Sequence, residues 1–238
     1  MPVTDARRGV VVLPVYNEVE TVSGVVDAVR KVFPGEVIVV DDGSTDGTSS
    51  LLAGRSDIRV ITHDTNLGYG RSLIDGFDAA LKAGAGAVVT MDCDGQHEPA
   101  HIPEFLAALD ECAIASGSRY LPGSRRVGTA PPERQDVNRR VTAVINEVTG
   151  WSITDAFCGF KSYRAEALSQ LSLTEPGYAM PLELWAQAYR AGLCVVERPV
   201  ERIYFDGDRS FGQDLDDPDR RFRYYLRVWE EALGRDDG

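Results

Sequence analysis

Asp92 and Asp94 stand one residue apart after the apolar run at 87–91, and Gln96 follows two positions later. Side chains alternate faces along a strand, so two carboxylates at this spacing share one side. Hard oxygen donors at the carboxyl end of a buried strand suit a divalent cation such as Mg²⁺ or Mn²⁺, which keeps positions open for substrate phosphates. The same residues also make an ordinary polar turn, so the pair gains meaning only from its neighbours. Polar clusters recur after earlier apolar runs: Tyr16-Asn17-Glu18 after 10–15, Asp41-Asp42 and Asp46 after 36–40, and Asn66-Leu67-Gly68 after 58–62. Turn and cap chemistry is an equal reading for Asp41 and Asp46.

The elements that must position these residues alternate. Apolar runs at 10–15, 36–40, 58–62, 87–91 and 112–116 read as strands, and helical spacing follows, as in Val22, Val25, Val26 and Val29 or Leu73, Phe77, Ala80 and Leu81. This is the layout of an open, doubly wound, mostly parallel α/β sheet with helices on both faces and ligands at the carboxyl ends of its strands. Neither G-x-G-x-x-G nor G-x-x-x-x-G-K-[ST] occurs, which argues against a dinucleotide fold or a P-loop. A phosphate ligand among these acidic strand ends therefore needs a cation or arginines.

Beyond Gly117-Ser118-Arg119 the pattern loosens. Residues 122–136, rich in Pro and Arg, read as a mobile loop and a candidate lid. A helix is predicted over 137–148, carrying Arg139 and Arg140, then a short strand over 158–163 and a helix over 181–191. Pro199 interrupts a strand over 195–205, which marks it as edge or bulged. An acidic loop covers 206–219, and a last helix, 220–233, turns Phe222, Leu226 and Trp229 to one side with its arginines on a solvated face.

The net charge of −12 excludes a protein built to bind nucleic acid. The four cysteines lack metal-ligand spacing and suit a reducing compartment. No apolar run reaches the roughly 18 residues of a membrane span, so a soluble, cytoplasmic protein is expected, with a peripheral position at a membrane as the further option. The sequence sets no oligomeric state.

Taken in order, Pro14-Val-Tyr16-Asn17-Glu18, Val40-Asp41-Asp42-Gly-Ser-x-Asp46-Gly-Thr, Asn66-x-Gly68 and Asp92-x-Asp94-x-Gln96-His97 resemble the motifs of the family-2 glycosyltransferases, inverting enzymes of the GT-A fold. Gly117-Ser-Arg119, Asp155-x-x-x-Gly159-Phe-Lys161 and Pro181-Leu-Glu183 are similar to elements of the polyprenyl-phosphate sugar synthases within it. The resemblance implies one catalytic domain over 1–238, its donor half at about 9–120 and its acceptor half at about 121–238. It implies a nucleotide-diphosphate sugar donor held by Pro14, Tyr16, Asn17, Glu18, Val40, Asp42, Asp92, Cys93 and Asp94, and Mg²⁺ or Mn²⁺ on Asp94 and Gln96. It also implies acceptor contacts from Arg119, Arg139, Arg140 and Thr142, the acceptor being a polyprenyl phosphate at a membrane surface. Asp92, Asp94 and Arg119 would carry the reaction, and Glu183 or Asp155 would serve as general base if the acceptor were a hydroxyl. Two departures bear on the acceptor: Asn138 and Thr142 stand where those synthases usually have arginine and serine, and Arg209-Ser-Phe-Gly212 replaces a Ser-Lys-Leu element. Two other readings remain open, a sugar-nucleotide pyrophosphorylase and a non-catalytic sugar-nucleotide binder. The first wants a glycine-rich basic loop after the first strand, which 14–18 is not.

Overall fold

The computed structural model describes residues 8–129, 131–204 and 215–234. The N-terminal half alternates as read: β1 (Gly9–Val15), α1 (Val22–Val32), β2 (Glu36–Asp41), α2 (Thr48–Ala53), β3 (Arg59–Thr62), α3 (Tyr69–Lys82), β4 (Ala87–Thr90), α4 (Ile102–Ala108) and β5 (Ile114–Ser118). Then come β6 (Arg126–Val127), α5 (Pro132–Thr149), β7 (Lys161–Arg164), α6 (Ala165–Leu168), α7 (Met180–Arg190), β8 (Val195–Pro199), β9 (Arg202–Ile203) and α8 (Pro218–Gly234). Seven strands form one sheet in the order β3-β2-β1-β4-β7-β5-β8. All are parallel except β7, which runs against both β4 and β5.

Strand alternation explains why both faces carry helices. Val10, Val12, Ile38, Val40 and Val88 pack on one face with residues of α3, α5, α7 and α8. Val11, Leu13, Val37, Val39 and Val89 pack on the other with α1 and α4. A strand apolar at every position is what a sheet covered on both sides requires. The GT-A α/β fold expected from the motifs is the fold observed.

Three local readings are corrected and one is kept. β5 lies two residues later than expected, because Gly117 and Ser118 pair with Arg198 and Pro199. The segment 122–136 is not one loop: Arg126 and Val127 pair with Arg202 and Ile203, and α5 begins at Pro132, whose missing N–H costs nothing in a first turn. β8 is indeed an edge strand, and Pro199 ends it. In α8 the buried stripe is Arg221, Tyr225, Val228, Trp229 and Ala232, so the helix is rotated from the expected face and one of its arginines is not solvated. The acidic loop and Arg209-Ser-Phe-Gly212 fall mainly or wholly outside the described residues. Among the described residues no helix is long and apolar enough to cross a membrane. Cys93 and Cys158 are buried, whereas Cys194 is exposed.

Candidate active site

β1 pairs with β2 on one side and β4 on the other, so the chain's crossovers diverge at the β1–β4 junction. A cleft of about 580 Å³ opens there, at the carboxyl ends of the strands, within the size range of small-molecule sites. Pro14, Tyr16, Asn17 and Glu18 enter it from the end of β1, and Asp42 from the end of β2. Asp92, Cys93, Asp94 and Gln96 enter from the end of β4, and Arg119 from the end of β5. Residues far apart in sequence are thus gathered by the topology.

Hydrogen bonds between neighbouring loops fix this rim. Asn17, with φ of 55°, receives the Thr45 N–H at 2.8 Å and donates its own N–H to Ser44 Oγ. Glu18 N–H donates to Thr48 Oγ1 and Val19 N–H to Asp46 Oδ2. Asp41 accepts from Ser44 N–H and Ser49 Oγ, so Asp41 and Asp46 shape turns. Asp42 receives the N–H groups of Leu67 and Gly68 at 2.8 and 2.9 Å and faces His63 Nδ1 at 2.7 Å. A Cβ at Gly68 would lie 2.4 Å from the Pro176 carbonyl oxygen, which gives the Asn66-x-Gly68 motif a steric reason.

Asp92 and Asp94 both reach the cleft, but strand alternation is not the cause. β4 ends at Thr90, and a turn through Gly95 (φ 75°) follows, in which Asp94 Oδ1 accepts the Gln96 N–H at 2.9 Å. Asp92 accepts from Tyr69 Oη at 3.0 Å and lies 3.1 Å from His97 Nε2. Burial works against its charge, but His97 and then Tyr69 hold its carboxyl below the usual carboxylate range. Burial pushes the Cys93 thiol up, and Glu18, Asp94 and Asp92 add to the effect, so three carboxylates bear on one point. Gly159 packs so closely that a Cβ there would meet Asp92 Oδ2 at 2.3 Å. We therefore expect Gly159→Ala to displace Asp92 and lower turnover by about 10–10²-fold, since small misplacements are costly in catalysis. Steady-state kinetics beside a thermal melt checks this, and unchanged turnover in a folded variant refutes it.

Among the described residues no group of three or more His, Cys, Asp or Glu side chains could hold a metal ion by itself. Asp94 and Gln96 supply two oxygen donors beside the carboxylates of Glu18 and Asp92. That incomplete donor set fits a Mg²⁺-like ion, which is bound by one or two carboxylates together with substrate phosphates.

Arg119 lies in the cleft wall because Asp155 holds it. Its Nε and Nη2 donate to the two carboxylate oxygens at 2.7 and 2.9 Å, and its backbone N–H donates at 3.1 Å. Asp155 is wholly buried and also accepts from Asn138 Nδ2. Burial opposes its charge, yet the Arg119 charge and hydrogen bonds keep the carboxyl below its ordinary range. Glu197 on β8 receives the N–H groups of Thr154 and Asp155 and so anchors the loop. Asp155 does not line the cleft, and its expected place as a base at the reacting centre is corrected to that of a positioning group.

Other expected residues also lie elsewhere. Glu183 is buried beneath the cleft wall, where it accepts the Thr174 and Glu175 N–H groups at 2.8 and 2.7 Å. Arg139 is exposed and pairs with Asp136 on its own helix. Arg140 lies 3.8 Å over the Phe222 ring and near Asp219, tying α5 to α8. The Thr142 hydroxyl donates to Asn138 Oδ1 inside the protein, and Val40 is core. None of these five side chains lines the cleft. The structure adds Arg134 and Arg221 instead. Arg134 was read as loop because the start of α5 was set too late. Arg221 was legible as the first member of the stripe 221, 225, 228, 229, 232, a helical period that begins with a charge.

A doubly wound sheet with a carboxylate-lined cleft at its switch point has the layout of α/β enzymes that bind their ligands at the carboxyl ends of the strands. Residues 10–172 match the family model for glycosyl transferase family 2, and the chain belongs to that family. It is 34% identical over 208 residues to polyprenol monophosphomannose synthase of Mycolicibacterium smegmatis, covering 83% of this chain and 78% of that protein. It is 30% identical over 214 residues to undecaprenyl-phosphate mannosyltransferase of Micrococcus luteus, covering 87% and 86%. Both relatives carry hexosyltransferase names, so the resemblance to polyprenyl-phosphate sugar synthases and the enzyme class of glycosyltransferase hold. In fold it is similar to glucosyl-3-phosphoglycerate synthase from Mycobacterium tuberculosis crystallised with uridine diphosphate, with a TM-score of 0.72 at 22% identity over 99% of this chain and 84% of that one. The same neighbour has been crystallised with Mn²⁺, uridine diphosphate and phosphoglyceric acid.

Proposed function

We propose that the chain is an inverting, metal-dependent hexosyltransferase that moves a sugar from a nucleotide-diphosphate donor to the phosphate of a polyprenyl phosphate. The observation that carries this reading is the convergence of Glu18, Asp92, Asp94 and Gln96 in one cleft with Arg119. In this reading Pro14, Tyr16, Asn17, Glu18, Asp42 and Cys93 shape the pocket for the nucleoside. Asp94 and Gln96 hold Mg²⁺ or Mn²⁺, which when bound offsets the charge on the departing nucleoside diphosphate. Asp92, fixed by Tyr69 and His97, holds the donor sugar, and Arg119 offers charge-assisted hydrogen bonds to an anion. The chain acts as one catalytic unit, peripheral to the membrane that holds its acceptor.

The placement of Glu183 and Asp155 supports a phosphate acceptor. A hydroxyl acceptor needs a base, yet Glu183 and Asp155 both lie off the cleft wall. A phosphomonoester, with a second pKa of about 6, attacks without one. Transfer measured with a panel of nucleotide sugars, Mn²⁺ and farnesyl phosphate tests this. We expect product from at least one hexose donor, and a rate that falls as pH drops below about 6 with the phosphate dianion. Transfer only to a hydroxyl acceptor would overturn the acceptor assignment, and sugar-nucleotide binding without transfer or hydrolysis would overturn the reaction.

A further inference from the structure

Two thiols meet at the far end of the sheet from the cleft. Cys112 stands two residues before β5 and Cys194 one residue before β8, and these strands pair in parallel with Ile114 opposite Val195. The register therefore carries both cysteines to neighbouring positions at the amino ends of the strands, while the cleft lies at the carboxyl ends. Backbone contacts fix the approach. The Ala113 N–H donates to Cys194 Sγ at 3.1 Å, and the Ile114 N–H donates to the Cys194 carbonyl at 3.2 Å. With that sulfur against the amide that follows Cys112, the two thiols lie within hydrogen-bonding reach of each other. Neighbouring strands are about 4.8 Å apart, inside the Cα separation of roughly 4.4–6.8 Å that a disulfide spans. The pair is unequal. Cys194 is exposed and Cys112 half-buried, whereas Cys93 and Cys158 are buried. Burial, and then the neighbouring Cys194, push the Cys112 thiol up to about 11, and burial pushes Cys158 up to about 12. An oxidant in water thus meets Cys194 first. β8 is also an edge strand, paired on one side with β5.

We propose that Cys194 and Cys112 form a reversible redox site, in which hydrogen peroxide oxidises Cys194 and Cys112 closes a disulfide onto it. The Cys194 sulfur attacks the O–O bond of the peroxide. An S–O bond forms, the O–O bond breaks, and the departing oxygen takes the thiol proton as water. The Cys112 sulfur then attacks Cys194 Sγ. The S–S bond forms, the S–O bond breaks, and the sulfenic oxygen leaves with the Cys112 proton as a second water. Two thiols lose two electrons and two protons, and one hydrogen peroxide becomes two waters. A small thiol reverses the bond by exchange. Closure has two effects on the chain. It takes the exposed sulfur out of reach of further oxidation to sulfinic acid and of cross-linking to another molecule. It also staples the edge strand β8 to β5 across a ring that includes α5 and α7. Neither thiol lines the cleft, so the site stands whether or not the transferase reading does.

The experiment treats the folded, reduced protein with a modest excess of hydrogen peroxide, beside Cys112→Ser and Cys194→Ser. Intact mass without reductant should show the unmutated protein losing two hydrogens, with no disulfide-linked dimer on a non-reducing gel. Tryptic mapping should join the peptides of residues 83–119 and 191–202, with fragmentation placing the bond on Cys112 rather than Cys93. Dithiothreitol should restore both thiols. The melting temperature of the oxidised protein should rise by roughly 4–16 °C, and neither serine variant should show that rise. In Cys112→Ser the Cys194 sulfenic acid lacks its partner thiol, so it should appear as sulfinic acid or as a reducible dimer. In Cys194→Ser, oxidation of Cys112 should be at least about tenfold slower than closure in the unmutated protein, because its thiol is seldom ionised. Peroxide-treated protein in which Cys112 and Cys194 both remain alkylatable thiols would overturn the proposal, as would a bond joining a different pair. Cys194 reaching sulfinic acid equally fast with and without Cys112 would overturn it too. The mass and peptide map of the unmutated protein decide the matter even if a serine variant fails to fold.

Discussion

Asp94→Asn is expected to lower transfer turnover by about 10²–10³-fold, the loss typical of one preorganised electrostatic group. The substitution isolates charge from shape. Asp94 Oδ1 accepts the Gln96 N–H, and an asparagine oxygen can accept the same bond, so the turn through Gly95 is retained. What disappears is the anionic oxygen proposed as a metal ligand beside Gln96, in a site where the described side chains cannot hold an ion unaided. Chelator added to the unmutated protein should produce a loss of similar size. The Mn²⁺ concentration giving half-maximal rate should rise at least about tenfold in the variant, because a carboxylate is the stronger ligand of a hard cation. The melting temperature should move little, since the carboxylate is partly exposed and the backbone bond persists. Full activity in chelator, or a variant as fast as the parent, would remove the metal from the mechanism.

The carboxylate side of the cleft was legible in the sequence because it is made by local signals. Each strand of the first half is a short apolar run, and each polar cluster follows its own strand, so Glu18, Asp42, Asp92 and Asp94 could be placed at strand ends before any tertiary contact was known. Even there the reason was partly mistaken. A turn, not strand alternation, brings Asp92 and Asp94 into the cleft, and Val40 belongs to the core. The side of the cleft built beyond β4 was not legible in the same way, because long-range pairing makes it. β7 enters the sheet antiparallel between β4 and β5, and nothing in the local pattern of 158–164 states that position. Residues 126–127 become a strand only because 202–203 lie beside them. Arg139 and Arg140 were attractive for their charge, but the phase of α5 turns Asn138 inward and leaves Arg139 in solvent. Shifting the start of α5 by five residues converts Arg134 from a loop residue into part of the cleft wall. Glu183 shows the opposite failure. A carboxylate at a helix start next to a family motif looked chemical, and burial with two backbone N–H partners makes it an internal clamp.

Removing the carboxylate that holds Arg119 should be the costliest single change to the fold of the site. Asp155 is wholly buried and makes a two-pronged pair with Arg119, whose side chain is 18% exposed, so Asp155→Ala leaves a largely enclosed guanidinium without its partner. Breaking such a pair typically costs about 3–5 kcal/mol. At about 2–4 °C per kcal/mol for a chain of this size, the melting temperature should fall by roughly 6–20 °C. Turnover should fall further than stability alone explains, because the same carboxylate accepts the Arg119 backbone N–H and fixes where the side chain enters the cleft. Asp155→Asn keeps the shape and some hydrogen bonds and should lie between the two. The pH dependence has a definite sign. The folded-state pKa of Asp155 is depressed, so the pair's contribution is complete above the unfolded value of about 3.9. It is lost only as pH falls through the lower folded value. Melts of the parent and Asp155→Asn from pH 7 to pH 3 should therefore differ by a constant amount down to about pH 4, and the gap should close below it. A gap that closes between pH 8 and pH 6, or an Asp155→Ala variant as stable and active as the parent, would show that this carboxylate does not set Arg119 in place.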